Sequence, residues 1–327
     1  MGAARETDPA LEAVDLVKTY PAGRKKPPVM ALRGLNLSAP QGTVLGLLGP
    51  NGAGKSTTVK ILSTLSAADS GSARVAGIDV AAEPGRVRRA IGFVSQRPGT
   101  DPMGTATENL LLAGRLHGMS RRDAMARARE LVEMFGLADA ADRLVRTYSG
   151  GMARKLDVAL GLMHRPRVLF LDEPTTGLDP HARADLWAEI ARLTAAEQMT
   201  VLLTTHYLEE ADHLADRLAI VEHGRVVASG TPEELKSDLR GDAVRVELAQ
   251  QADGRALPAL RKVPGLRDIS MDGRTVHGRT DNGARALPPV LAALEEAGIA
   301  VSSATLARPS LSDVYLRHTG HSLEETK

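Results

Sequence analysis

The sequence predicts an α/β fold built around a parallel sheet. Through about residue 235, apolar runs alternate with longer amphipathic stretches, a pattern typical of strands that are buried between helices. One of these runs, TVLGLL, passes through a glycine-rich turn directly into a helical pattern, as expected where a strand connects to the next helix. The clearest buried runs lie at residues 43–48, 90–94, 168–171, 200–204 and 218–221.

Two segments depart from this alternation, and a chain of 327 residues is long enough for about two domains. Between about residues 99 and 165 the strand signal disappears and apolar residues recur at helical spacing, which predicts an inserted helical subdomain. After the segment TPEELKSDLRGD, candidate strands AVRVELA, TVHGRT and GIAVSSATLA surround a candidate helix, LPPVLAALEEAG. We therefore expect a first domain over residues 1–238 and a smaller α+β domain over residues 239–327.

Composition argues against several classes of protein. The 41 basic and 40 acidic residues leave a net charge of +1, too little for the basic field that grips nucleic acid, so no nucleic-acid partner is expected. The chain has no cysteine, which excludes disulfides, zinc knuckles and thiolate catalysis and fits a reducing cytosol. No stretch approaches the roughly 18 consecutive apolar residues of a spanning helix, so the chain is not expected to cross a membrane alone.

The strongest motif is the turn GPNGAGKS, which matches G-x-x-x-x-G-K-[ST] between a strand and a helix. In such a turn, glycines let backbone N–H groups converge on β- and γ-phosphate oxygens at a helix N-terminus. The lysine supplies a point charge, and the final hydroxyl is offered to Mg²⁺. The candidate phosphate-binding residues are Gly49, Pro50, Asn51, Gly52, Ala53, Gly54, Lys55, Ser56 and Thr57.

Two carboxylates, Asp172 and Glu173, end the buried run VLFL, at the strand end where open α/β sheets place their sites. We expect Asp172 to hold the Mg²⁺ shell and Glu173 to polarise the water that attacks the γ-phosphate. Taken alone, the pair could equally cap a helix before Pro174. The phosphate-binding turn elsewhere in the chain favours the catalytic interpretation.

Other polar residues follow strands or begin helices in the same predicted fold. Ser149, Gly150 and Gly151 precede a helical stretch, so they predict a second anion-binding helix N-terminus, although glycine-rich helix starts are common. Gln96 follows the run AIGFVS and His206 follows TVLLTT. Either one alone would usually be a turn residue, but both are expected at the same crevice as the phosphate-binding turn.

Taken in order, GPNGAGKS, Gln96, YSGGM, VLFLDE, TTGLD and His206 resemble the motif set of the ATP-binding cassette (ABC) ATPases. In that family these motifs are called Walker A, Q-loop, signature, Walker B, D-loop and H-loop. The resemblance covers residues 11 to about 235. It implies a P-loop NTPase cassette with a RecA-like core, an antiparallel β subdomain and the inserted helical subdomain.

The resemblance also implies ATP and Mg²⁺ as ligands and gives roles to single residues. Tyr20 matches the aromatic residue that stacks on adenine, and Asp179 of the D-loop is expected near the interface between two cassettes. The implied catalytic residues are Lys55, Gln96, Glu173 and His206. The implied metal ligands are Ser56, Gln96 and Asp172.

In this family the signature of one cassette closes over the ATP bound to the Walker motifs of another. The sequence has two separate candidate phosphate-binding segments, GPNGAGKS and the helix start at Ser149, which fits that arrangement. We therefore expect two copies of the chain to sandwich two ATP molecules head to tail. Met152 replaces the usual Gln of the signature, which removes a side-chain hydrogen bond but leaves Ser149 and the backbone available.

The signature YSGGM, the following RKLDVA and the ending RPSLSDVYLRHTG resemble the antibiotic-resistance branch typified by daunorubicin/doxorubicin exporters. This resemblance implies a drug or lipid-like cargo, a separate polytopic permease and a peripheral position on the cytoplasmic face of the membrane. The small C-terminal domain is then expected to stabilise the subunit or its dimer. The alternative is a soluble ABC-type ATPase switch that acts on a protein or nucleic-acid partner without transport.

Overall fold

The computed structural model divides the chain into two compact units, with the division between Ser229 and Gly230. Within the part of the chain that is described, no helix is long and apolar enough to cross a bilayer. The described residues are 9–21, 27–239, 241–250, 254–281, 283–321 and 323.

The first unit mixes strands and helices in the order that the hydrophobic pattern predicts. Up to the helical subdomain the elements are β1 Leu11–Tyr20, β2 Val29–Ala39, β3 Val44–Leu48, α1 Lys55–Leu62, β4 Ser70–Val75, β5 Ile78–Asp79, α2 Pro84–Ala90 and β6 Ile91–Val94. After these come α3 Ala106–Leu116, α4 Arg121–Met134, α5 Gly150–Gly161, β7 Val168–Asp172, α6 Pro180–Glu197, β8 Thr200–Thr205, α7 Leu208–Leu214, β9 Arg217–Glu222 and β10 Arg225–Gly230.

A six-stranded sheet with the order β10-β9-β3-β8-β7-β6 forms the centre of the first unit. Its strands β6, β7, β8, β3 and β9 pair in parallel. They are the five apolar runs read from the sequence, so the prediction of a parallel α/β sheet is confirmed. Because these strands are parallel, their carboxyl ends lie at one edge of the sheet.

Successive residues of the parallel strands face two different cores, which explains why the strands are apolar on both faces. One face packs with α1 and the antiparallel strands through Leu45, Leu47, Phe170 and Leu202. The other face packs with the helical subdomain through Val44, Leu169, Leu171, Val201 and Leu203. Every residue of β3 and of β8 is buried.

The remaining strands of the first unit form an antiparallel sheet with the order β2-β1-β4-β5. The predicted antiparallel β subdomain is therefore present. The helical segment contains α3, α4 and α5, and α3 and α4 begin at Thr105 and Ser120, whose hydroxyls accept from backbone N–H groups three residues on. A Cβ on Gly114 would lie 2.8 Å from Ala124 Cβ, so this glycine lets α3 approach α4 closely.

The second unit combines four strands with four helices among the described residues. Its elements are α8 Pro232–Ser237, β11 Asp242–Leu248, α9 Ala256–Leu260, β12 Arg267–Asp272, β13 Thr275–Thr280, α10 Gly283–Glu296, β14 Val301–Ala307 and α11 Leu311–Thr319. The strands form an antiparallel sheet with the order β12-β13-β11-β14. Its core contains Val244, Val246 and Val276 of the sheet and Val290 and Leu294 of α10.

Two features of the second unit differ from the sequence pattern. The chain divides before α8, earlier than the expected boundary at residue 238, because α8 packs against α11 at the end of the chain. The edge strand β12 was not anticipated, since RDISMD has only two apolar residues and no buried run.

Candidate functional site

The candidate site lies where β3, β7 and β8 end side by side. β8 is the neighbour of both other strands, with Leu48 opposite Thr205 and Asp172 opposite Thr204. Because the three strands are parallel, the loop after β3, the two carboxylates after β7 and the histidine after β8 all emerge at one edge of the sheet. The topology thus brings together motifs that are far apart in sequence.

The loop at residues 49–54 depends on its glycines. Gly52 and Gly54 have φ angles of +83° and +113°, which disfavour other residues. A Cβ on Gly49 would lie only 2.3 Å from Val221 O, so no larger residue fits there. Gly54 is the N-cap of α1 and provides no side chain to cap its first amides. This leaves a helix N-terminus that suits a phosphate group.

Lys55 carries the positive charge of the loop and is only 4% exposed. Its Nζ donates to Gly49 O at 2.6 Å and to Pro50 O at 3.1 Å, and lies 3.6 Å from Glu173 Oε1. Burial lowers the pKa of Lys55, while the Glu173 and Asp172 carboxylates act in the opposite direction. The backbone carbonyls therefore hold an ammonium group at the loop, as phosphate recognition requires.

Asp172 is held between two hydroxyl groups. Ser56 Oγ donates to Asp172 Oδ1 at 3.2 Å, and Thr204 Oγ1 donates to the same oxygen at 2.6 Å. A hydroxyl and a carboxylate oxygen at this spacing are the hard ligands that Mg²⁺ prefers. The residues present therefore fit the metal that the motifs imply.

Glu173 has an unusual backbone and a ring of polar neighbours. Its φ angle is +49°, in the left-handed region that non-glycine residues rarely adopt and that is frequent at active sites. The Glu173 amide donates to Thr204 O and to Thr204 Oγ1, at 3.2 and 3.0 Å. Gln96 Nε2 and Thr176 Oγ1 each donate to Glu173 Oε2 at 3.3 Å, and His206 Nδ1 lies 3.4 Å from Oε1.

The structure thus brings together six of the residues singled out from the sequence. They are Lys55, Ser56, Gln96, Asp172, Glu173 and His206.

The signature residues form a separate cluster. Ser149 is the N-cap of α5 and accepts from the Met152 amide at 3.2 Å. A Cβ on Gly151 would lie 2.9 Å from Ala182 Cβ, next to Asp179, which caps α6 by accepting from the Ala182 amide. Among the described residues, no hydrogen bond or ion pair connects this cluster to the phosphate-binding loop. In the described part of the chain, the helix N-terminus that begins at Ser149 is therefore not joined to the loop at residues 49–54.

Tyr20 lies apart from both clusters. It ends β1 opposite Val29, and the Lys18 ammonium lies 5.5 Å from the centre of its ring. The same hairpin approaches the phosphate-binding loop through β2, since a Cβ on Gly54 would lie 2.7 Å from Ala31 O. This arrangement leaves the adenine-stacking role of Tyr20 a prediction.

Sequence reasoning missed Thr204 and Thr176, which hold the two carboxylates in place. Thr204 is fully buried and contacts both Asp172 and the Glu173 backbone. The only signal available for Thr204 was its position at the end of TVLLTT, a strand that could be placed beside VLFLDE. Thr176 had a weaker signal, because a hydroxyl three residues after a carboxylate is common in turns.

Two protein-family models match this chain. Residues 32–176 match the family model described as ABC transporter. Residues 230–319 match the model described as ATP-binding protein DrrA1-3-like, C-terminal domain. The two models therefore match one unit each.

Individual relatives match nearly the whole chain. The daunorubicin/doxorubicin resistance ATP-binding protein of Streptomyces peucetius is 46% identical over 97% of this chain and 94% of its own length. The linearmycin resistance ATP-binding protein of Bacillus subtilis is 35% identical over 96% of this chain and all of its own length. A solved dimeric ATP-binding cassette, bound to ADP and Pi after hydrolysis, is 27% identical, with a TM-score of 0.61, and covers 68% of this chain and 98% of its own.

Proposed function

The chain belongs to the ATP-binding subunits of the ABC transporters, and from this premise we propose that it powers the export of a drug, an antibiotic or a lipid-like molecule through a separate permease. The observation that carries the proposal is the match to resistance ATP-binding proteins over both units. The match includes the C-terminal unit, which ATP binding and hydrolysis alone would not need. The chain binds ATP with Mg²⁺ and is an ATPase.

The triphosphate of ATP binds across the loop at residues 49–54 and the start of α1. The free amides at the α1 N-terminus donate to phosphate oxygens, and the nearby Thr57 belongs to the same first turn. Lys55 exchanges its contacts with Gly49 O and Pro50 O for the more negative phosphate oxygens. Tyr20 stacks on adenine in this proposal.

Ser56 Oγ and Asp172 would hold Mg²⁺, with Gln96 as a further protein ligand. The metal would supply positive charge against the negative charge of the phosphate groups. Thr204 fixes Asp172 Oδ1 by donating to it, so the carboxylate is oriented before the metal arrives.

Glu173 acts as the general base for the attacking water. Gln96 and Thr176 donate to Oε2, which fixes the plane of the carboxylate, while His206 lies beside Oε1. The side-chain partners of the Glu173 carboxylate differ from the two hydroxyl groups that hold Asp172. The two neighbouring acids can therefore take different roles, one at the metal and one at the water.

A complete site requires a second copy of the chain. Ser149, Gly150 and Gly151 form a helix N-terminus that, among the described residues of one chain, makes no hydrogen bond or ion pair with the phosphate-binding loop. In a head-to-tail dimer they would close over the γ-phosphate bound by the partner, with Asp179 near the shared interface. Met152 keeps its backbone amide in this cap and packs its side chain against the helical core.

The permease docks on a cleft in the first unit. The cleft has a volume of about 500 Å³ and is lined by apolar residues of α3 and of the sheet, together with polar residues that include Asp157 and His164. Leu112 and Leu116 on α3 are 58% and 79% exposed, which is high for leucine beside a cleft. A membrane protein that presents a short apolar helix at the cytoplasmic face would cover this surface.

Sensitivity to drugs tests the export proposal. Cells that carry Glu173→Gln in place of the wild-type chain should become at least about fourfold more sensitive to daunorubicin, doxorubicin or linearmycin, because export without hydrolysis stops. Glu189→Gln, which removes a half-buried carboxylate that pairs with Arg192 in the middle of α6, is the control and should leave sensitivity unchanged. Unchanged sensitivity of the Glu173→Gln cells to all three compounds would contradict a role in the export of such drugs.

A further inference from the structure

Arg154 connects α5 to both catalytic loops. Its side chain is 7% exposed, and it reaches two backbone carbonyls that lie beside catalytic residues. Arg154 Nε donates to Pro174 O at 2.6 Å, one residue after Glu173. Arg154 Nη1 donates to Ser95 O at 2.7 Å, one residue before Gln96. One guanidinium group therefore holds two segments at fixed positions relative to α5. They are the turn that follows Glu173 and the loop at residues 95–99, which carries Gln96.

Asp157, one helical turn further along α5, holds the other end of the loop at residues 95–99. Asp157 Oδ1 accepts from the Gly99 amide at 2.8 Å, and Asp157 Oδ2 lies 3.7 Å from Arg154 Nη1. Asp157 is only 5% exposed. The loop at residues 95–99 is thus attached to α5 at both ends, by an ion pair that lies almost entirely out of solvent.

Displacing this buried ion pair should cost free energy. Removing two charges from water costs free energy that good geometry must recover, so a displaced pair is poorly tolerated. The planar guanidinium donates in fixed directions, which makes its two carbonyl contacts sensitive to the rotation of α5. A movement of α5 therefore has to move the loops that carry Gln96 and Glu173.

The first residues of α5 are Gly150 and Gly151, which follow Ser149. In the dimer of the preceding subsection these residues contact ATP held by the other chain. We propose that Arg154 is a positioning residue that couples the two ATP sites. When α5 moves because its first residues contact the ATP held by the other chain, Arg154 moves the loops that carry Gln96 and Glu173 in its own chain. The inference rests on the head-to-tail dimer proposed above.

The test compares Arg154→Gln and Arg154→Lys in the full chain with a matched control. Gln removes the charge and cannot span both carbonyls, while Lys keeps the charge but has one nitrogen. The control is Arg127→Gln: Arg127 on α4 is 3% exposed, donates to Leu162 O at 3.1 Å and pairs with Glu130, so it is equally buried but lies within the helical subdomain. The readouts are MgATP turnover against ATP concentration and ATP binding to the monomer.

In the wild-type chain we expect a Hill coefficient that approaches about 2, the ceiling for two sites. Arg154→Gln should lower it to about 1 and lower kcat at least about tenfold, with ATP affinity of the monomer within about twofold of wild type. Arg154→Lys should be intermediate, and Arg127→Gln should keep the wild-type Hill coefficient.

Each other result overturns the inference. If Arg154→Gln keeps wild-type cooperativity, or if Arg127→Gln loses as much, Arg154 has only a structural role. If Arg154→Gln does not fold, wild-type cooperativity in Arg154→Lys would overturn the inference in its place. A wild-type chain without cooperativity would instead contradict the two-site dimer. A failure of the proposed dimer can therefore be distinguished from a failure of the role of Arg154.

Discussion

The Ser56 hydroxyl donates to Asp172 Oδ1 across 3.2 Å, although the two residues are 116 positions apart in the sequence. The contact joins the first turn of α1 to the end of β7. It places a hydroxyl and a carboxylate side by side.

Glu173→Gln should keep ATP binding and lose turnover. The amide occupies the same volume but cannot accept a proton from water, so kcat should fall at least about a hundredfold. ATP that is bound and not hydrolysed should make dimers accumulate, which size-exclusion chromatography with MgATP detects. Near-normal turnover in this variant would remove Glu173 from the role of base.

Thr204→Val should lower turnover more than stability alone explains. The change removes the hydroxyl that holds Asp172 Oδ1 and the Glu173 amide, at a cost of about 1–3 kcal/mol in unfolding free energy. We expect kcat to fall at least about tenfold, because both acids lose their orientation.

Thr200→Val is the matched control for that change. Thr200 lies at the other end of β8 and accepts from the Gly42 amide at 2.9 Å. It should cost similar stability, measured by urea unfolding, with turnover near wild type. Equal losses of turnover in both variants would show that Thr204 affects activity only through folding.

Ser149→Ala should damage activity without weakening ATP binding to the monomer. The change removes the N-cap of α5, at a cost of about 1 kcal/mol. Ser120→Ala removes an equivalent cap from α4 and is the control, which should keep full turnover. A Ser149→Ala monomer whose ATP affinity collapsed in equilibrium binding would contradict the shared site.

Glu210→Gln should stabilise the protein at neutral pH but not at acidic pH. Glu210 is fully buried, and Oε1 accepts from Thr175 Oγ1 at 2.9 Å and from Trp187 Nε1 at 3.1 Å, contacts that the Gln carbonyl can keep. Burial raises the pKa of Glu210 above its usual value of 4.5. As the pH rises past 4.5, the unfolded state therefore loses its proton from this carboxyl group before the folded state does. Wild-type stability consequently falls as the pH rises through the folded pKa.

Thermal unfolding between pH 4.5 and 8 measures this effect. The Tm of Glu210→Gln should match wild type near pH 4.5 and exceed it at higher pH, by about 2–4 °C for each kcal/mol gained. A difference between the two proteins that does not change with pH would show that the charge of Glu210 costs no stability.

Sequence reasoning reached the strands and the motif residues because both have strong local signals. The run VLFL predicts a buried strand, and parallel pairing then places the acids after it at the same edge of the sheet as the loop after TVLGLL. Side chains that act through tertiary contacts left no such signal. Arg154 is an unremarkable arginine in a helical pattern until the fold places Ser95 O and Pro174 O around it.

The left-handed backbone of Glu173 was equally hidden, since two adjacent acids before Pro174 also suit an ordinary helix cap. The structure shows that the same buried residue, Thr204, contacts the Glu173 amide and the Asp172 carboxylate. In the second unit, the sequence pattern did not predict β12, because an edge strand with one covered face needs few apolar residues.

The central claim is that this chain supplies ATP hydrolysis to a membrane permease. The most direct test is to tag the chain in its native cells, wash the membranes gently, purify the complex and identify its components by mass spectrometry. The account predicts a polytopic membrane protein in roughly stoichiometric amount. Leu116→Asp in the cleft should deplete it, whereas Val227→Asp on the exposed side of β10 should retain it. Recovery of only soluble proteins or nucleic acid, with ATPase activity intact, would contradict the claim.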